Sequence, residues 1–126
     1  MTATILFVDD ESDLEALILQ KFRRQIREGL VKVIFAHDGV EALESLELNP
    51  QVDMVVSDIN MPRMDGYEVI RRLRSNSDHK TTPILVLTTE SEAEKRNLAR
   101  SAGATGWMVK PFDPDRLVAT LRKVAP

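Results

Sequence analysis

Apolar residues along the chain gather into five short blocks: Ile5 to Val8, Val31 to Ala36, Met54 to Val56, Ile84 to Leu87, and Trp107 to Val109. Four of the five are nearly continuous rather than alternating. A half-exposed strand alternates apolar with polar, whereas a strand covered on both faces does not, so these blocks predict the buried strands of a parallel sheet. The stretches between them follow the other period. Leu14, Leu17, Ile18 and Phe22 recur at helical spacing, as do Val40, Leu43 and Leu46, then Val69, Ile70 and Leu73, and finally Leu117, Val118, Leu121 and Val124.

Each helical stretch also carries a start signal. Ser12-x-x-Glu15, Asp38-x-x-Glu41, Asp65-x-x-Glu68 and Ser91-x-x-Glu94 place a side-chain acceptor three residues before a glutamate, the pattern of a capping box. Asp113-Pro114 puts proline at the first helical position, where its missing N–H costs nothing. One such match is weak. Five, each following an apolar block, predict a β-α unit repeated five times: an α/β fold with five helices around a five-stranded parallel sheet. No linker or low-complexity tract interrupts the pattern, so residues 1–126 are expected to form a single domain.

Composition narrows the chemistry. There is no cysteine, which excludes disulfides, thiolate nucleophiles and cysteine-built zinc sites. The two histidines, His37 and His79, are far apart and in polar contexts. Seventeen basic against twenty acidic residues give a net charge of −3, with no sign of the basic stripe that direct nucleic-acid binding requires. The apolar blocks are far too short to span a bilayer, and the N-terminus does not look like a signal peptide. The expectation is a soluble, cytoplasmic protein with no membrane insertion.

In open parallel sheets ligands sit outside the carboxyl ends of the strands. The residues there are Asp9, Asp10 and Glu11 after the first strand, His37 and Asp38 after the second, Asp58 and Asn60 after the third, Thr88 and Thr89 after the fourth, and Lys110 and Pro111 after the fifth. If the first and third strands are neighbours, Asp9, Asp10 and Asp58 converge and repel. Hard divalent cations such as Mg2+ are held by such oxygen donors. One divalent ion plus Lys110 cancels the three formal negative charges, and Thr88 adds a neutral donor. A carboxylate nucleophile, a metal, a lysine and a hydroxyl suit phosphoryl transfer. Singly, Asp9 and Asp10 read better as solvated loop acids, Asp58 reads equally well as a loop or turn residue, and Lys110 reads as a surface lysine; their joint placement carries the argument.

The same segments resemble the receiver domains of two-component response regulators, and among these the stand-alone chemotaxis regulators. The matching stretches are Ile-Leu-Phe-Val-Asp9-Asp10-Glu, Val-Val-Ser-Asp58-Ile-Asn-Met-Pro-x-Met-Asp-Gly66, Leu-Val-Leu-Thr88, and Ala-Gly-Ala-Thr-Gly-Trp-Met-Val-Lys110-Pro-Phe. They span essentially the whole chain in family order. A haloacid-dehalogenase-like phosphatase would need an aspartate where Asn60 stands, and a calcium loop starting at Asp9 would need glycine where Leu14 stands.

The resemblance implies strand order 2-1-3-4-5 and a domain that catalyses only its own phosphorylation and dephosphorylation. Asp58 resembles the phosphoacceptor. Asp10, Asp58 and the backbone carbonyl of Asn60 resemble the Mg2+ ligands, with Asp9 acting largely through bound water. Thr88 resembles the switch hydroxyl, and Lys110 the cation that pairs with the phosphoryl group, in a Lys110-Pro111 bond expected to be cis. Asn60 and Glu90 match positions that tune phosphoryl lifetime. Trp107 stands where the family usually has a rotating Tyr or Phe, and its bulk departs from the pattern. The implied partners are a sensor histidine kinase and a downstream protein bound through the face of the fourth helix, fifth strand and fifth helix, the chain being a monomer or weak dimer. It reads as a natural single-domain regulator, or else as the receiver of a longer protein such as a hybrid kinase or a DNA-binding or enzyme-linked regulator.

Overall fold

The structure, a computed structural model, describes residues 3–58, 66–76, 79–88, 93–109, 115, 116 and 119. In chain order the elements are β1 (Ala3–Val8), α1 (Ser12–Lys21), α2 (Arg23–Arg27), β2 (Val31–Ala36), α3 (Gly39–Leu48), β3 (Met54–Asp58), α4 (Gly66–Ser75), β4 (Ile84–Thr88), α5 (Ala93–Ala102) and β5 (Gly106–Val109). The five strands form one sheet in the order β2-β1-β3-β4-β5, and every pairing is parallel.

The continuous apolar blocks are explained by two cores, one on each side of the sheet. Successive strand side chains point to opposite faces, so β1 sends Leu6 and Val8 to one core and Ile5 and Phe7 to the other. The first core is closed by Ala42 and Leu46 of α3, Val69, Ile70 and Leu73 of α4, and Ala99 of α5. The second is closed by Leu14, Ile18 and Phe22 of the α1 region. Leu6, Val55, Ile84 and Val86 are fully buried. No helix among the described residues is long and apolar enough to cross a membrane.

Two local features differ from the sequence reading. The first helical segment is not one helix: it breaks at Phe22, whose ring is anchored in the core while its backbone leaves helical geometry, and resumes as α2. Gly29 then reverses the chain into β2 at φ +74°. Its N–H donates to Ile26 O and that of Leu30 to Gln25 O, a Schellman closure that places glycine in the left-handed region. The second difference is the start of α1. Ser12 is not its cap, because Glu11 takes the N-cap position and makes no side-chain cap bond. Asp9 Oδ1 accepts from the Glu11 N–H at 2.9 Å instead, an Asx turn that starts the helix one residue early. Asp38 does cap α3 as predicted, accepting from Glu41 N–H at 2.9 Å.

The predicted starts at Asp65, Ser91 and Asp113 lie outside the described residues. Of the last predicted helix, only Asp115, Arg116 and Ala119 are described, and they are helical.

The amino-terminal edge of the sheet is tied by one side chain. Arg74, at the end of α4, donates from Nε to Gly103 O at 2.9 Å and from one terminal nitrogen to His79 O at 2.9 Å and Thr82 O at 2.6 Å. It thereby joins α4 to the loops leading into β4 and β5. Gly103 has φ +114°, and a Cβ there would meet Arg74 Cγ at 2.7 Å, so the close approach and the backbone both require glycine. His79, fully buried, bonds through Nδ1 to Thr82 Oγ1 at 3.0 Å and steadies the same loop.

Candidate functional site

The functional edge is the opposite one. The β1–β3 register pairs Val8 with Ser57, so Asp9 and Asp58 emerge side by side where the two strands end. The Asp9 N–H donates to Ala36 O at 3.0 Å, carrying the β1–β2 ladder one residue further and fixing the Asp9 backbone. Ser57, buried next to Asp58, donates to the Asp58 carbonyl at 3.0 Å. Asp9 and Asp58 are only 7% and 6% exposed, while Asp10 is open to solvent.

One carboxylate oxygen from each of Asp9, Asp10 and Asp58 lies within 4.8 Å of the others. Two unit charges at that distance repel by about 3.5 kcal/mol at an effective dielectric of about 20. The donors are all carboxylate oxygens, with no nitrogen or sulfur among them, which is the ligand chemistry of Mg2+ or another hard divalent cation. The adjacency of the first and third strands, on which the predicted convergence depended, is therefore present.

The other predicted residues are placed in part. Thr88 ends β4 and pairs with Val109, so its backbone stands at the same carboxyl edge; its side chain is not among those described. Asn60, Glu90, Lys110 and Pro111 lie outside the described residues. Trp107 lies in β5 opposite Val86 and packs, half-buried, on the core shared by α3, α4 and α5. Its indole Nε1 is buried with no hydrogen-bond partner among the described residues. The ring borders a small cavity of about 160 Å3 with Ala99, Arg100, Ala104, Thr105 and Gly106.

His37 is a feature of this edge that its polar context did not reveal. From the end of β2 its Nδ1 meets Glu41 of α3 at 3.1 Å and its Nε2 meets Glu15 of α1 at 3.3 Å. The two carboxylates, Glu41 foremost, raise its pKa above the usual 6.5, because only the imidazolium donates from both nitrogens. The i,i+4 spacing of His37 and Glu41 is visible in the sequence; the reach of Glu15 from α1 is not.

A parallel sheet of this order, with buried and exposed carboxylates gathered at the carboxyl ends of its central strands, belongs to the doubly wound, flavodoxin-like class of folds, which places ligands at that edge. The family model for the response regulator receiver domain matches residues 5–122, and the chain belongs to that family. It is 40% identical over 122 residues to the response regulator MprA of Mycobacterium ulcerans, covering 97% of this chain and 50% of MprA; the chain thus spans about half the length of that relative. Among solved structures it resembles the chemotaxis response regulator CheY4 of Vibrio cholerae, with TM-score 0.87 and 40% identity over 98% of this chain and 99% of that one. It also resembles the receiver domain of the sensor histidine kinase PA1611 of Pseudomonas aeruginosa, described with a magnesium ion coordinated in its active site cleft (TM-score 0.83, 26% identity, 98% and 97% covered). The protein is a CheY-like receiver of two-component signalling.

Proposed function

We propose that residues 1–126 form one receiver domain that accepts a phosphoryl group on Asp58 from a sensor histidine kinase, with Mg2+ held by Asp9, Asp10, Asp58 and the backbone carbonyl of Asn60. The observation that carries this reading is the approach of the three carboxylates to within 4.8 Å at the sheet edge. Bound Mg2+ would neutralise the charge shared by these acids and the incoming phosphoryl oxygens.

In the proposed reaction an Asp58 oxygen attacks phosphorus and the bond from phosphorus to the donor's imidazole nitrogen breaks. The imidazole leaves with the electron pair and takes up a proton, and an acyl phosphate remains. Lys110 pairs with its oxygens, and Thr88 donates to it. Decay runs by attack of water on phosphorus in line with the Asp58 oxygen, which leaves as carboxylate. The family resemblance assigns Asn60 and Glu90, two residues past Asp58 and Thr88, to setting its rate. Switching brings Thr88 toward the phosphoryl group and changes the face formed by α5, β5 and the helix after Asp113, to which a downstream protein binds. Trp107, beside the cavity on that face, is the side chain that responds.

On this reading the protein is a cytoplasmic, chemotaxis-type regulator acting through protein contacts, monomeric or weakly dimeric and with no direct nucleic-acid binding. The near-complete mutual coverage with CheY4 and the half-length match to MprA do not distinguish a single-domain regulator from the receiver of a longer protein; the length of the open reading frame separates the two. The central test is incubation with acetyl phosphate and Mg2+ followed by peptide mapping. One phosphoryl group on Asp58, lost in Asp58→Asn and in EDTA, is expected. Equal labelling of Asp58→Asn overturns the assignment.

A further inference from the structure

Two surface features of opposite character lie on opposite helix layers. On α1 and α2, Leu19, Gln20, Arg23, Ile26 and Arg27 line an open groove of about 500 Å3. Of its apolar lining, Leu19 is 45% exposed, and Leu30, outside the lining and just beyond α2, is 51% exposed. Its rim is cationic. Lys21 and Arg24 are engaged by Asp115 and Glu28, but Arg23 and Arg27 have no carboxylate partner among the described residues.

The complement stands on α3. Leu48, at 81%, is the most exposed large apolar side chain among the described residues. Glu44 lies one turn before it and Glu47 beside it, both exposed. Among the residues of α3 there is no lysine or arginine. An apolar knob flanked by two acids thus matches an apolar groove flanked by two unpaired arginines.

We infer that this chain self-associates weakly, the α3 corner of one copy entering the α1–α2 groove of the next. Leu48 would fill the space between Leu19 and Ile26, with Glu44 and Glu47 facing Arg23 and Arg27. The two surfaces lie on opposite faces of the sheet, so they cannot meet within one chain. The contact is heterologous, so its first product is a weak head-to-tail dimer, to which further copies add only at higher concentration. Both surfaces lie toward the amino-terminal edge of the strands, away from Asp9 and Asp58, so association needs neither Mg2+ nor phosphorylation and stands apart from the function proposed above.

Sedimentation velocity of the unphosphorylated chain in EDTA, over a concentration series at low and high salt, tests this. A sedimentation coefficient rising with concentration at low salt, and suppressed by screening at high salt, is expected. The double variants Arg23→Glu/Arg27→Glu and Glu44→Lys/Glu47→Lys each place like charges on both surfaces, and should each weaken association about tenfold or more. An equimolar mixture of the two restores opposite charges across every contact and should associate again. Circular dichroism verifies that each variant is folded. A parent that stays monomeric throughout, or a mixture that fails to recover, overturns the inference. Flotation with phosphatidylglycerol vesicles forms a further arm. If the monomeric parent floats and Arg23→Glu/Arg27→Glu does not, the groove belongs to an anionic membrane and the proposal is wrong.

Discussion

Replacing Asp58 by asparagine removes one of the three negative charges gathered at the carboxyl edge of the sheet. Asp58 and Asp9 are both nearly buried, and their oxygens approach within 4.8 Å, a repulsion of about 3.5 kcal/mol at an effective dielectric of about 20. Asp10 is exposed, so its term falls toward the aqueous limit of about 0.9 kcal/mol. Against this total stands the loss of the charge-assisted part of Asp58's own contacts, about 1–2 kcal/mol. The net expectation is a gain of about 3 kcal/mol, or a rise of about 9–15 °C in Tm for a domain of this size. Thermal melts in EDTA at neutral pH and low salt measure it directly. Mg2+ should then reverse the ranking in part: at ten times its Kd an ion that binds only the folded parent adds about 1.4 kcal/mol, and the variant gains less. An Asp58→Asn Tm equal to or below the parent's in EDTA refutes the repulsion argument. Equal Mg2+ stabilisation of both refutes the shared site.

Four further outcomes are expected. Arg74→Met strips three main-chain carbonyls of a charged donor and should cost about 3–5 kcal/mol by urea unfolding, with Gly103→Ala destabilising through the same contact; a loss under about 1 kcal/mol for Arg74→Met shows that water replaces it. His37, whose pKa is raised chiefly by Glu41 and then by Glu15, should titrate above 6.5 by NMR, and Glu41→Gln should lower that value more than Glu15→Gln. Because the folded-state value is the higher one, the stabilisation from this bridge is fully present below about pH 6.5 and is lost as pH rises through the folded pKa; a parent-minus-Glu41→Gln stability difference that grows with pH contradicts it. Trp107 is the only tryptophan, so beryllofluoride with Mg2+ should shift its emission, and an unchanged spectrum with binding verified separately shows that the indole is only packed. Bulky or basic replacements of Asn60 or Glu90 should slow loss of phosphate from Asp58 in a pulse-chase, and unchanged decay removes them from the water's path.

What the sequence disclosed follows from which interactions are local. The alternation of Leu6 and Val8 against Ile5 and Phe7 leaves a continuous run only if both faces are buried, so a parallel sheet was legible in the strand blocks. The Asp38 cap was legible because acceptor and donor are three residues apart. Asp9 and Asp58 could be brought together only by supposing that β1 and β3 are neighbours, a choice that local pattern does not make. Arg74 was invisible for the same reason: an arginine closing an amphipathic helix reads as solvated until the turns at His79 and Gly103 fold over it. Phe22 continued the helical period faithfully, yet the core claimed its ring at the expense of the backbone. Ser12 looked like the cap, but the turn in which Asp9 accepts from the Glu11 N–H starts the helix one residue earlier.

The position of β1 between β2 and β3 also bears on how the chain is made. Once Asp58 has left the ribosome, three strands and the helices that cross between them are complete, and the central strand is paired along both edges. β4 and β5 then join in order of synthesis on the same free edge, each beside the strand made just before it. No gap has to be kept open in the sheet for a later strand, and of the two exposed edges one stays at β2 while the other is always the newest strand. The acids of the first and third strands are already together in this early unit. The repulsion between them is therefore borne by a partly built sheet, at the stage of biogenesis when the least buried surface is available to offset it.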